Sequence, residues 1–353
     1  MLKIGVIGYG YWGPNLVRNF CDLPEVRVVM VSDIDPLRLE KVQLRYPAVR
    51  TTADYRDVLR DSAVDAVAIA TPVSEHFGIA MEALRAGKHV WMEKPMTRTV
   101  AEAERLIEEA GKRNLLIHVD HTFVYTGAVR KVHELVRSGA LGEIYYYDSV
   151  RVNLGLFQRD VNVVWDLAVH DASILDFLLE QHPLAVSATG MSHIPGRHEN
   201  IAFITLFYPS NLIAHLHVNW LSPVKVRKTL IGGSKKMVVL DDLEMVEKVK
   251  IYDTGVTISN GNQTELVHQL LIGYRTGDMW CPKIDIAEAL SVAARHFVDC
   301  IEGGKQSMTG GLAGLRVVEI LEAISRSLAE RGNPVEIASS HHGSIPRFES
   351  AVS

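Results

Sequence analysis

Cysteine is scarce: three in 353 residues, Cys21, Cys281 and Cys300, with no paired spacing. That rules out a disulfide framework and a cysteine-ligated zinc site, and a reducing cytoplasm is the compartment expected. No apolar run reaches the roughly eighteen residues of a membrane-spanning helix. The chain opens straight into an apolar strand, so no signal peptide is expected. Lysine and arginine form no dense run and the net charge is −5, which offers no basic field for nucleic acid or for an acidic membrane surface. No internal repeat is visible. What the chain does have is an ordinary globular balance, 47% apolar and 22% charged residues, and a length that suggests about two domains.

The first of these is organised by its opening stretch. Ile4 to Ile7 reads as a buried strand, and Gly8, Gly10 and Gly13 follow in the spacing G-x-G-x-x-G. Trp12, Leu16, Val17 and Phe20 then keep a helical period. In this arrangement the first glycine makes the tight turn, the second lets backbone approach a pyrophosphate and the third lets helix pack on strand. The phosphates would lie at the helix N-terminus, where free N–H groups and the helix dipole favour negative charge. A second apolar run, Val26 to Val31, ends at Ser32-Asp33, and Asp33 stands twenty residues after Gly13. An acid there suits the ribose hydroxyls of NAD; its other reading is the N-cap of a helix starting near Pro36. Ile34 rather than arginine comes next, so NAD is expected over NADP, with Arg38 and Arg45 keeping that choice open. Tyr9, Tyr11, Trp12 and Ile34 complete this part of the expected cofactor site.

Strands and helices go on alternating through Leu115–Val119, which predicts a parallel sheet covered on both faces. Ligands bind such sheets beyond the carboxyl ends of the strands. Thr71-Pro72, with His76 soon after, and Glu93-Lys94-Pro95 fall at those ends. A lysine there would stand near a nicotinamide and could exchange a proton with a substrate hydroxyl; the alternative is an exposed loop lysine.

The second half has a different rhythm. Six short apolar runs between Val186 and Tyr252 lie too close together for helical crossovers, so a largely antiparallel sheet is predicted. A helix is expected to begin near Asp166, and Asp166 and His170, four apart, would share one of its faces. They read either as a functional pair or as an N-capping acid and a core-edge histidine. On the strand around His215 and His217, period two puts both on one face; no third metal ligand stands at a recognisable spacing, and no metal is expected. The helical patterns Ala287–Ile301 and Leu312–Glu330 are expected to pack the second domain together. The expected domains are residues 1–122, residues 123–338 and a flexible tail, residues 339–353.

Gly8-Tyr9-Gly10-Tyr11-Trp12-Gly13, Ala70-Thr71-Pro72 with His76, Glu93-Lys94-Pro95, Ser138-Gly139-Ala140-Leu141-Gly142 and Asp166-Leu167-Ala168-Val169-His170-Asp171 occur in one order. In these pieces the sequence resembles the glucose–fructose oxidoreductase / inositol dehydrogenase family (Gfo/Idh/MocA) over nearly its whole length. The resemblance implies a Rossmann domain, a C-terminal α/β domain whose open, mostly antiparallel sheet makes homodimers or homotetramers, and NAD(P)-dependent oxidation of a secondary alcohol of a sugar or cyclitol. It also implies a catalytic set of Lys94, Asp166 and His170. His170 or Lys94 would move the proton and Asp166 would orient its partners.

The chain departs from the family pattern at Val161–Trp165, at Asp120 before His121, and at Val124-Tyr125-Thr126. These departures put substrate identity in doubt, and they make His121, Arg151, Asn153 and Trp165 candidate pocket residues. This version resembles relatives of surface-polysaccharide and nucleotide-sugar pathways, which implies a nucleotide-linked hexose oxidised at C3, with a free sugar or inositol as the alternative. A dinucleotide-binding sensor without catalysis is the reading from another class; it would need no proton-transfer groups.

Overall fold

The computed structural model describes residues 1–155, 157, 160–195, 198–209, 211–259 and 271–337. The tail expected at residues 339–353 lies outside them. The chain forms two compact units, Met1–Thr126 with Ala287–Glu322, and Gly127–Ile286 with Ala323–Ile337.

In the first unit, β1 (Leu2–Ile7), α1 (Gly13–Cys21), β2 (Val26–Ser32), α2 (Pro36–Arg45), β3 (Arg50–Thr52), α3 (Tyr55–Arg60), β4 (Ala66–Ile69), α4 (Val73–Arg85), β5 (His89–Glu93), α5 (Val100–Arg113) and β6 (Ile117–Asp120) alternate. The strands make one sheet in the order β3-β2-β1-β4-β5-β6, parallel throughout. Burial on both faces explains the uninterrupted apolar runs: all four residues of β4 are buried. α1 starts with Pro14 in its first turn and turns Leu16, Val17 and Phe20 inward. The side chain that caps α2 belongs to Asp35, which accepts from the Leu37 N–H at 3.0 Å. Asp33 is therefore not the cap.

The second unit opens with α6 (Gly127–Arg137) and the long strand β7 (Ile144–Leu154). A π-helical turn over Val164–Ala168 then runs into α7 (Val169–Leu179). Next come β8 (Ala185–Met191), β9 (Ile201–Phe207), β10 (Ile213–Asn219), β11 (Leu221–Gly233), β12 (Met237–Asp241), β13 (Val249–Tyr252), the paired β14 (Gly255–Ser259) and β15 (Leu271–Arg275), and β16 (Met279–Trp280). With β17 (Val335–Glu336) they form a nine-stranded sheet, order β16-β13-β12-β11-β7-β10-β9-β8-β17, and β14–β15 stand apart. Among the described residues β7 and β10 are its parallel pair, and the other pairings are antiparallel. On β10 the alternation is clean: Ala214, Leu216 and Val218 are buried, while Ile213, His215, His217 and Asn219 point to the more open face.

The two late helices are α8 (Ala289–Gly303) and α9 (Gly311–Ala329). The sequence suggested that both pack the second unit; from Ala323 on α9 does, but the rest does not. α8 belongs to the first unit, and α9 does too as far as Glu322. The reason is packing: Phe297 of α8 meets Phe20 and Trp91 edge-on, with ring centroids 6.3 and 5.6 Å apart. An amphipathic period shows which face is buried and leaves the partner open. Among the described residues no helix is long and apolar enough to cross a membrane.

Candidate functional site

The carboxyl ends of the parallel strands line up: Ile7 pairs with Ser32 and Ile69, Ile69 with Met92, and Glu93 with Asp120. Gly8 leaves β1 with φ +96°, a conformation glycine adopts freely, and a Cβ there would stand 2.6 Å from the Ala70 carbonyl oxygen. A Cβ on Gly13 would lie 2.3 Å from the Gly8 carbonyl oxygen, so only glycine lets α1 close onto the strand end. The cradle has the form that a dinucleotide pyrophosphate needs.

Asp33, buried at the end of β2, accepts from the Tyr9 N–H at 2.6 Å and the Asp35 N–H at 2.9 Å. Arg38, which the sequence left as a possible phosphate partner, is drawn to carboxylates instead. Its guanidinium lies 3.3 Å from Asp33 and 3.4 Å from Asp35. Arg45 lies against the ring of its neighbour Tyr46. Of the other cofactor candidates, Tyr9 is buried, whereas Tyr11 and Ile34 project into solvent.

His76 on α4 ties two neighbouring strand ends together. One ring nitrogen is 3.0 Å from the Thr71 carbonyl oxygen and the other 3.0 Å from that of Pro95. It thereby braces the turn carrying Lys94, whose bond to Pro95 is cis. His76 thus acts on backbone within the protein, a role that spacing alone did not reveal. The Thr71 hydroxyl is buried without a partner; Pro72 begins α4 as its N-cap residue.

Around Lys94 lies a buried polar cluster. Asp120 accepts from the Trp12 indole N–H at 3.0 Å and from the Thr122 hydroxyl at 2.6 Å. Glu93 stands beside Asp120 in the register of β5 and β6. Burial, then the Asp120 charge, holds the Glu93 carboxyl well above the usual carboxylate range, and burial raises Asp120 as well. His121 follows, buried, with neither ring nitrogen partnered. Burial, reinforced by the Lys94 charge, pushes it down to about 3, so its imidazole is neutral at physiological pH.

The second unit holds Asp166 and His170. Asn162 accepts from the Val164 and Trp165 N–H groups, both at 3.1 Å, and so caps the π turn. Asp166 lies within that turn and accepts from the Trp220 indole N–H at 3.1 Å; His170 is the second residue of α7. Such turns gather at functional sites. Neither Asn162 nor Trp220 was read from the sequence as a support for Asp166, although an Asn two residues before a helix is a recognisable cap. Trp165 donates to Ser325 at 2.9 Å.

Arg151 is placed differently from the pocket the sequence suggested. It is buried on β7 with its guanidinium on Asp171 of α7, Nε to Oδ2 at 2.8 Å and Nη2 to Oδ1 at 3.3 Å. Ser149 donates to the same carboxylate at 2.8 Å. Arg151 therefore anchors α7 to the sheet, while Asn153, two residues on, is half-buried on the same strand face. Of the two strand histidines, His215 pairs with Asp148 at 3.1 Å and His217 stacks on Phe203.

Known proteins match both units. The model of the Gfo/Idh/MocA oxidoreductase family, NAD-binding Rossmann fold, matches residues 2–121, and that of the family's C-terminal domain matches residues 129–239. UDP-N-acetylglucosamine 3-dehydrogenase from Acidithiobacillus ferrooxidans is 26% identical over 325 residues, 90% of this chain and 94% of that protein. Its solved structure superposes with a TM-score of 0.77, covering 93% of this chain and 98% of the other at 23% identity. Myo-inositol 2-dehydrogenase from Thermotoga maritima is 24% identical over 201 residues, 54% of this chain and 58% of that protein. An oxidoreductase of Bacillus subtilis, YrbE, is 25% identical over 191 residues, and the match spans 56% of its length. With an NAD-binding Rossmann domain followed by the family's C-terminal domain, this chain belongs to the Gfo/Idh/MocA oxidoreductases, a family of sugar and cyclitol dehydrogenases.

Proposed function

We propose that the protein oxidises a secondary alcohol of a nucleotide-linked hexose, at C3, with NAD as the acceptor. The observation that carries this reading is the near full-length match to a dehydrogenase of that kind, 94% of its length, joined to a lysine at the end of β5. When bound, NAD supplies the hydride acceptor. Gly8, Gly10 and Gly13 would hold its pyrophosphate and Asp33 its adenine ribose. Lys94 and His170 are the candidate groups for taking the hydroxyl proton, and Asp166, fixed by Trp220, would orient them or the substrate. His121, with both ring nitrogens unpartnered, is suited to a hydroxyl or amide of the ligand. Free sugars and inositol form the second reading, favoured by the shorter match to an inositol dehydrogenase. The three free cysteines accord with a cytoplasmic enzyme.

The test is a panel of UDP-linked hexoses, free hexoses and inositols, each with NAD and NADP, read by nicotinamide absorbance. A UDP-linked hexose should give the highest kcat/KM. NAD should be preferred by more than tenfold, since Asp33 opposes a 2′-phosphate and like charges brought together cost several kcal/mol. Higher kcat/KM on inositol would select the second reading. Tight NAD binding with no turnover on any alcohol would select the sensor.

The open face of the nine-stranded sheet supports a homodimer or homotetramer. Phe203, Phe207, Ile213 and Leu230 are all more than a third exposed there, and a cluster of large apolar side chains on one face marks an association surface. Light scattering at micromolar concentration is expected to give two or four chains, and Phe203→Glu with Ile213→Asp to give one. A monomeric wild type would exclude the sheet face as an interface.

A further inference from the structure

We propose that Asp120 is a positioning residue for the cofactor: it holds the Trp12 indole at the nicotinamide end of the dinucleotide site, where that ring walls the nicotinamide from solvent. The loop that carries Trp12 has three glycines in six residues, Gly8 to Gly13, and so has little stiffness of its own. Two carboxylates at separate strand ends fasten it. Asp33, at the end of β2, accepts from the Tyr9 N–H at 2.6 Å. Asp120, the last residue of β6, accepts from the Trp12 indole N–H at 3.0 Å. These two strands stand well apart in the sheet, with β1, β4 and β5 between them.

The place of the indole follows from the sheet order. A dinucleotide with its adenine ribose on Asp33 and its pyrophosphate on the glycine loop has the ends of β4, β5 and β6 left for its nicotinamide. The start of α1 lies on that side. Farther along the helix Phe20 meets Trp91 of β5 edge-on, with ring centroids 5.4 Å apart, and at the first turn the Trp12 side chain reaches β6. Trp12 is also the N-cap residue of α1, and its carbonyl accepts from the Asn15 N–H at 2.9 Å. Its backbone is therefore set by the helix and its indole by Asp120. An indole there offers a flat apolar face, which suits an aromatic ring and, in the oxidised cofactor, its positive charge.

Asp120 is itself held in one position. It is 1% exposed, and Thr122 donates to its other oxygen at 2.6 Å. Thr122 is two residues on and would be enough to steady the turn after β6. The bond to Trp12, 108 residues away in the chain, serves the glycine loop instead. Its gain is preorganisation: an indole already in place need not be ordered when the cofactor binds. Asp120 acts through Trp12 and need not touch the cofactor. The inference rests on NAD as the cofactor and not on which alcohol is oxidised.

The test compares NAD with ADP-ribose, which lacks the nicotinamide, by titration calorimetry. D120A frees the indole and should weaken NAD by about three- to tenfold, the cost of ordering one side chain again. ADP-ribose should bind it as tightly as it binds the wild type. D120N should restore NAD binding, since its amide oxygen accepts from the indole and its N–H can donate to Thr122. W12F removes the indole N–H and should lose at least as much NAD affinity as D120A. The double variant D120A/W12F should then bind NAD no worse than W12F, because one residue acts through the other. Equal losses of NAD and ADP-ribose would overturn the nicotinamide role and make the bond a brace of the loop. Unchanged NAD binding in W12F, no recovery in D120N, or additive losses in the double variant would overturn Asp120 as the positioning residue. W12F leaves Asp120 and Thr122 as they are, so it decides between the two ligands even if D120A fails to fold. A wild type that binds neither ligand would sink the cofactor reading and this inference with it.

Discussion

Lys94→Ala is expected to lower turnover by about 10²–10⁴-fold, the usual contribution of a positioned acid or base, with NAD affinity nearly unchanged. The separation follows from where the groups stand. The candidate pyrophosphate and ribose contacts belong to the loop after β1 and to Asp33 at the end of β2, whereas Lys94 follows β5, beyond β1 and β4 in the sheet. His170→Ala should cause a comparable loss if it shares the proton, and Asp166→Asn a smaller one, because the amide oxygen can still accept from Trp220. Stopped-flow turnover on the best sugar, with NAD titrated by tryptophan quenching, measures both sides. Near-normal turnover in Lys94→Ala with NAD binding collapsed would make the lysine a cofactor anchor and leave the proton to His170.

Asp171→Ala carries the largest expected cost in stability, about 3–5 kcal/mol, because it takes away the carboxylate that faces a buried charged guanidinium. Arg151 and Asp171 are both almost fully buried, with side chains 7% and 1% exposed, and Ser149 also loses its acceptor. Asp171→Asn should recover part of the loss, since its amide oxygen still accepts. Urea unfolding followed by circular dichroism measures the change, and a loss below about 1 kcal/mol would mean that water reaches Arg151 in the folded state.

The legible parts of this protein were those whose physics is local. Parallel strands buried on both faces write themselves as apolar runs, and Val67, Ala68 and Ile69 did so. Close approach leaves a glycine, as at Gly8 and Gly13, and period two separated Leu216 and Val218 from His215 and His217. Partnership across long separations was not written in this way. Nothing near Arg151 announces that its carboxylate stands twenty residues later on another element, so it read as a pocket residue. Nothing in the period of α8 names Phe20 and Trp91 as its neighbours. The helix expected near Asp166 is present but opens as a π turn, because Asn162 and Trp220 hold its start, and an ordinary helical period does not show such a turn. Asp120 was visible only as a departure from a family pattern, and its place beside Glu93 needed the register of β5 and β6.

The assignment of α8 to the first unit also has a consequence in time. Phe20 and Trp91 leave the ribosome with the first strands, but Phe297, which closes over them, is about two hundred residues further along. At ordinary rates of about 5–20 residues per second, that gap lasts roughly ten to forty seconds. Through all of it the nascent nucleotide-binding unit carries an uncovered aromatic surface, while the whole nine-stranded sheet except its last short strand is being synthesised. A chaperone that shields apolar surface has its natural target there, on a face that the finished protein hides completely.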